Sequence, residues 1–100
     1  MAQQSRLGTV ATHVSREDGV LTVRYHGTRV VEVYPNGKVI LNSNGYRTST
    51  TKTRMNQAST QFRLGFHVWQ QNFAWFVDVD GHTLEFRDGM AIRNGADVAP

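Results

Sequence analysis

Residues 42–57 read NSNGYRTSTTKTRMNQ, and this stretch divides the chain. It opens on Asn44-Gly45, a turn signal. A near-continuous run of Ser and Thr follows, which suits a helix cap. Ser49 or Thr50 is placed to act as an N-cap, its oxygen accepting from a first-turn N–H. Met55, Ala58 and Phe62 then fall at i, i+3 and i+7, one helical stripe. The pattern predicts a helix over about 51–64, with Gly65 as a left-handed C-cap.

Outward on the N-terminal side, the period is two rather than 3.6. Residues 8–14 form a weak strand candidate. GVLTVRY (19–25) alternates well after the turn signal Glu17-Asp18-Gly19, and His26-Gly27 marks the next turn. TRVVEVY (28–34) and KVILN (38–42) flank Pro35-Asn36-Gly37, the strongest turn signal in the chain. On the other side, FHVWQ (66–70) turns near Gln71-Asn72 into FAWFVDV (73–79), and Asp80-Gly81 returns it as HTLEFR (82–87). After Asp88-Gly89, residues 90–92 suit a last short strand. The expected fold is α+β: an antiparallel β-meander, one central helix, then a C-terminal antiparallel three-stranded segment. The 100 residues read as a single domain, with about 1–6 and 94–100 frayed.

Composition narrows the chemistry. Cysteine is absent, which excludes disulfides and thiolate catalysis. No apolar run suits a signal peptide or a membrane span, which predicts a soluble, cytoplasmic protein. The net charge of +3 is modest, but its distribution is not even. From Val33 to Val77 there is no Asp or Glu, while Lys38, Arg47, Lys52, Arg54 and Arg63 lie inside. Nine of the eleven basic residues are Arg, whose planar fork grips phosphate at two points.

The opening stretch therefore has two readings. A helix N-terminus carries partial positive charge and unpaired N–H groups, and Thr48, Ser49, Thr50, Thr51, Lys52, Arg47 and Arg54 surround it, which suits an anion. Equally, the hydroxyls can be caps and the cations a solvated helix face. There is no G-x-x-x-x-G-K-[ST], so this is no nucleotide-hydrolysing loop. The aromatic residues Phe62, Phe66, Trp69, Phe73, Trp75 and Phe76 form the second constellation. Alternation sets Phe73, Trp75 and Val77 on one face and Ala74, Phe76 and Asp78 on the other, so one face is core. The other can stack on a base or close a subunit interface. His13, His26, His67 and His82 sit at no metal-binding spacing, and no nucleophile elbow is present. Neither a metal, a cofactor nor catalysis is expected.

Three runs together, LNSNGYRTSTTKTRMNQ (41–57), GFHVWQQNFAWFV (65–77) and FRDGM (86–90), resemble a group of small phage proteins with an LNSGGW-R-T-TTK-R-NQ segment. The chain is identified by this resemblance, over about residues 37–92, with the first family of Thoeris anti-defence sponges, the Tad proteins of phages. The resemblance implies a protein that binds cyclic nucleotide immune signals and holds them uncleaved in the host cytoplasm. Those signals are glycocyclic ADP-ribose isomers and, in some members, cyclic di- or trinucleotides. It also implies a homo-oligomer, dimer or hexamer. Carried over by motif, Arg47, Thr50, Thr51, Lys52, Arg54 and Asn56 would hold phosphate and ribose, with Phe62, Trp69 and Asn72 near a base. Tyr46 stands where the pattern has Trp, and Asn44 where it has Gly, which bears on a stacking contact and on the turn. The competing expectation is a small inhibitor that binds a host defence protein, as anti-CRISPR proteins do, or nucleic acid.

Overall fold

In a computed structural model, residues 12–45 and 47–93 are described. The element order is β1 (Thr12–Glu17), β2 (Val20–Tyr25), β3 (Thr28–Val33), β4 (Lys38–Leu41), α1 (Ser49–Gln61), β5 (Phe66–Gln71), β6 (Ala74–Val79), β7 (His82–Glu85) and β8 (Met90–Arg93). This is the α+β arrangement read from the sequence. The first strand runs on to Glu17, past the expected end at residue 14; residues 8–11, Tyr46 and the ends expected to fray fall outside the described residues.

The strands form two antiparallel sheets, ordered β1-β2-β3-β4-β8 and β5-β6-β7. The final strand does not stay with its sequence neighbours. It returns to the first sheet, pairing Val39 with Ile92 and Leu41 with Met90. That covers the second edge of β4, whose Val39 and Leu41 are fully buried. One core joins both sheets and the helix: Val23, Val31, Val39, Leu41, Met55, Ala58, Val68, Trp75, Val77 and Ile92 are all buried in it. Met55 and Ala58 are the expected helix stripe, with Phe62 half-buried at its end.

Among the described strands the pairing register shifts at one place. Between β2 and β3 the register slips: Val23 faces Val31, but Arg24 faces Arg29. Val30 is the extra residue. A bulge bends its strand and re-aims neighbouring side chains. Val30 and Val31 are consequently both buried, and the Val30 carbonyl accepts from Asn42 N–H at 3.1 Å, beyond the end of β4.

The helix starts and stops two to three residues before the expected positions. Its N-cap is Thr48, not Ser49 or Thr50: the Thr48 side chain accepts from Thr51 N–H at 3.1 Å. At the other end Leu64 N–H bonds to the Ser59 carbonyl and Phe62 N–H to Ala58, while Arg63 takes φ +55°. This is a Schellman-type ending with Arg63, rather than Gly65, in the left-handed position.

Four two-residue hairpin turns share one geometry. Their φ pairs are 52°/81° at Asp18-Gly19, 50°/79° at His26-Gly27, 51°/77° at Asp80-Gly81 and 52°/68° at Asn72-Phe73. Positive φ at both positions is the type I′ turn, whose second place favours Gly. A bulky L-residue in that region costs roughly 1–2 kcal/mol. Phe73 is thus part of the turn, not of the β6 core face as alternation predicted, and it is 93% exposed.

Candidate functional site

A cavity of about 450 Å³ opens beside the start of α1, lined by Tyr25, His26, Thr28, Val30, Ser43, Thr48 and Thr51. Three pieces of chain build it. The β2–β3 hairpin supplies Tyr25, His26, Thr28 and the bulged Val30. The segment after β4 supplies Ser43, and the helix start supplies Thr48 and Thr51. The size lies in the range of small-molecule sites, about 300–1,000 Å³. Its lining holds hydroxyls from Thr28, Ser43, Thr48, Thr51 and Tyr25 and contains no carboxylate. The first turn of α1 also contains no acidic residue, so nothing there offsets the positive end of the helix.

Ser43 is fixed from far along the chain. The Asp88 carboxylate accepts from Ser43 N–H and Ser43 Oγ, each at 2.7 Å, and from Gly45 N–H at 3.1 Å. Burial works to raise the Asp88 pKa. The Ser43 hydroxyl, the Ser43 and Gly45 N–H groups and the Arg47 charge outweigh it, and the net shift is downward. In the same segment Asn44 has φ +52°. That explains why Asn can stand where the resemblance has Gly, since Asn tolerates the left-handed region.

The expected site residues separate in space. Thr51 lines the cavity and is buried, with its Oγ1 3.0 Å from Thr48 Oγ1. Arg54 lies beside the cavity wall, its guanidinium carbon 5.6 Å from the centre of the Tyr25 ring. Its Nε donates to Thr12 Oγ1 at 3.1 Å and its Nη1 to Gln57 Oε1 at 3.0 Å. Arg47 is exposed over the Phe86 and Trp75 rings, at 5.1 and 6.0 Å. Lys52 turns toward β5 and donates to Gln70 Oε1 at 3.3 Å. Thr50 is exposed.

Asn56 holds backbone. Its Nδ2 donates to the Val68 carbonyl at 2.8 Å and its Oδ1 accepts from Val68 N–H at 2.7 Å. Ser59 does the same one step along, donating to the Phe66 carbonyl and accepting from Phe66 N–H at 2.6 and 3.0 Å. Among the described residues β5 pairs only with β6, so its other edge has no strand beside it. These two side chains stand in for the missing strand and satisfy that edge.

Phe62, Trp69 and Asn72 do not line the cavity. Phe62 meets the Arg16 guanidinium at 5.8 Å. Trp69 and Phe76 face each other across β5 and β6, half-buried and stacked with ring centres 4.8 Å apart. The Trp69 indole N–H is buried and completes no hydrogen bond. The Thr83 hydroxyl, donating to Asp78 Oδ1 at 2.6 Å, is the main cause that holds Asp78 below the usual carboxylate pKa. Asn72 occupies the first place of its turn.

Sequence reasoning missed Tyr25, His26, Thr28 and Ser43 as site residues. His26-Gly27 was legible as a turn, but the bulge that brings its flanks to the helix start has no local signature. Among the described residues no three His, Asp or Glu side chains cluster to hold a metal ion. No described helix is long and apolar enough to cross a membrane.

One family model, described as Kyanoviridae Gp96 protein, matches residues 1–93. No curated protein and no solved structure matches the chain.

Proposed function

The chain belongs to the Kyanoviridae Gp96 family of phage proteins, and from that premise we propose that it is a binding protein for a small cyclic nucleotide. It holds the ligand at the start of α1 and releases it unchanged. The observation that carries this reading is the cavity itself: about 450 Å³, hydroxyl-lined, without a carboxylate, at the positive end of a helix. Thr48, Thr51 and Thr28 supply short hydroxyls to phosphate or ribose oxygens, and Ser43, whose own donors go to Asp88, shapes the wall. Arg54, next to Tyr25, supplies the nearby positive charge, and Tyr25 with His26 supplies the rings for a base. Asn56 has no part in ligand binding, since both its polar atoms are engaged with Val68.

In this reading the protein is an anti-defence sponge. It sequesters glycocyclic ADP-ribose isomers or cyclic di- or trinucleotides in the cytoplasm of the infected host, and it self-associates. Sequestration needs no cofactor and no catalytic group. The resemblance described above supports the ligand class; the acid-free lining supports the anion.

The test is a thermal-shift screen of the full chain against those cyclic nucleotides, since a ligand that binds only the folded state raises its melting temperature. One class should give a clear shift, Arg54→Ala should reduce that shift in a variant that is still folded, and the ligand should be recovered intact after denaturation. No shift with any member would sink the reading. Recovery of a cleaved product would replace it with an enzyme. Binding to nucleic acid instead would show itself by a steep loss of affinity with salt, because many counterions are released.

A further inference from the structure

On the face of the first sheet turned away from the core, the β2–β3 bulge sets like charges against each other. Val30 and Val31 both take core positions, so Arg29 falls opposite Arg24. Arg24 in turn faces His13 across β1 and β2. The result is one row, His13–Arg24–Arg29, across three strands spaced about 4.8 Å apart. Like charges directly opposite one another destabilise a sheet. Little around the row offsets them. Arg24 donates to Ser15 Oγ at a long 3.4 Å, and Arg29, 59% exposed, meets Glu32 at 3.8 Å. An exposed pair of that kind contributes little. Glu17 on β1 and Lys38 on β4 lie on the same face but outside the row.

We propose that this row is a docking surface for an acidic segment of another protein, whose carboxylates are gripped by Arg24 and Arg29. The planar fork of Arg takes a carboxylate at two points, and Arg is enriched at protein interfaces. A carboxylate between the two guanidinium groups relieves the repulsion that the free protein bears. Shape and charge choose among anionic partners. A sheet face is open, whereas small ligands are held in concave sites. A nucleic-acid strand calls for cations along its track and rings to stack on. The row contains no ring other than His13, and the next positions on this face carry Glu32 and then Glu17, which repel a continuing line of phosphates. An acidic protein segment brings only a few carboxylates and can turn its own donors toward Glu32 and Glu17. A second copy of this chain, carrying +3 like the first, is the poorer partner for a cationic row. Tyr25, Thr28 and Val30 line the cavity from the opposite face of the same hairpin, so this surface does not depend on what fills the cavity.

The test is calorimetric titration of the full chain with a polyglutamate peptide at low salt. Arg24→Gln and Arg29→Gln should each weaken binding by roughly threefold to tenfold. Arg87→Gln removes an exposed cation elsewhere on the surface and should leave binding unchanged. Arg24→Gln should also raise the peptide-free melting temperature by roughly 1–4 °C at low salt, because it relieves the opposed charges. That gain should vanish at high salt. No binding of the peptide would overturn the proposal. Equal weakening by all three variants would overturn it in favour of attraction to net charge alone. Tighter binding of a single-stranded oligonucleotide or of inorganic phosphate than of the peptide would replace the protein partner. A lower melting temperature for Arg24→Gln would show that the row serves the fold, and would overturn the proposal as well. Failure of the nucleotide screen changes none of these outcomes, and failure here leaves the reading of the cavity standing.

Discussion

The two halves of α1 use the same kind of side chain for different ends. In the first turn, Thr48 and Thr51 bond to each other and border a cavity. In the second half, Asn56 and Ser59 bond to the backbone of Phe66 and Val68. What differs is what lies opposite. The second half faces the unpaired edge of β5, where any uncovered buried N–H or carbonyl is costly. The first half faces a space between the β2–β3 hairpin and the helix start. A polar run on a helix is therefore not a site by composition; the backbone across from it decides.

This contrast is open to direct tests. The largest effect should come from the clamp. Asn56→Ala strips two partners from Val68, which is 1% exposed, and should cost about 2–4 kcal/mol in urea unfolding. A loss below the scale of a single surface substitution would mean that the edge of β5 finds other partners. Thr48→Ala comes next. It removes the N-cap and one hydroxyl of the cavity, and should lower stability by about 1 kcal/mol. If it also weakens nucleotide binding while Asn56→Ala, measured at a temperature where it is folded, does not, the division between the halves stands.

The smallest effect is a change in acid sensitivity at Asp88, which holds Ser43 in the cavity wall. Its folded-state pKa lies below the ordinary carboxylate value. The carboxylate therefore stabilises the fold above about pH 4 and the contribution is lost as pH falls through the depressed pKa. Asp88→Asn should flatten the acid side of a melting-temperature profile and leave its slope near neutral pH unchanged. An identical acid limb in parent and variant would show that the three hydrogen bonds do not depend on charge.

Much of the fold was legible because local signals agreed. Asp18-Gly19, His26-Gly27 and Asp80-Gly81 fix tight turns, alternation fixes the strands between them, and Met55 with Ala58 fixes the helix face. The errors were local competitions. Thr48 took the cap because its oxygen reaches Thr51 N–H. Arg63 took the left-handed place because the helix ended a turn earlier than Gly65 suggested. Phe73 reads as strand in the sequence because nothing in its chemistry announces a turn position normally held by Gly. The candidate site was less legible. Thr51 belongs to the cavity and Arg54 to its border, but Arg47, Lys52, Asn56, Phe62, Trp69 and Asn72 are directed elsewhere by rings, amides and strand edges.

By itself, the sequence determined the element order, the basic and acid-free middle, and the hydroxyl-rich helix start, because each depends on neighbours within a few residues. Only the tertiary structure decided that β8 returns to β4, that Asp88 grips Ser43 and Gly45, that Asn56 and Ser59 close the edge of β5, and that a bulge at Val30 helps open a cavity against the helix. Those depend on which backbone groups are left unpaired once the sheets have formed, and that is a property of the packed chain rather than of any segment in it.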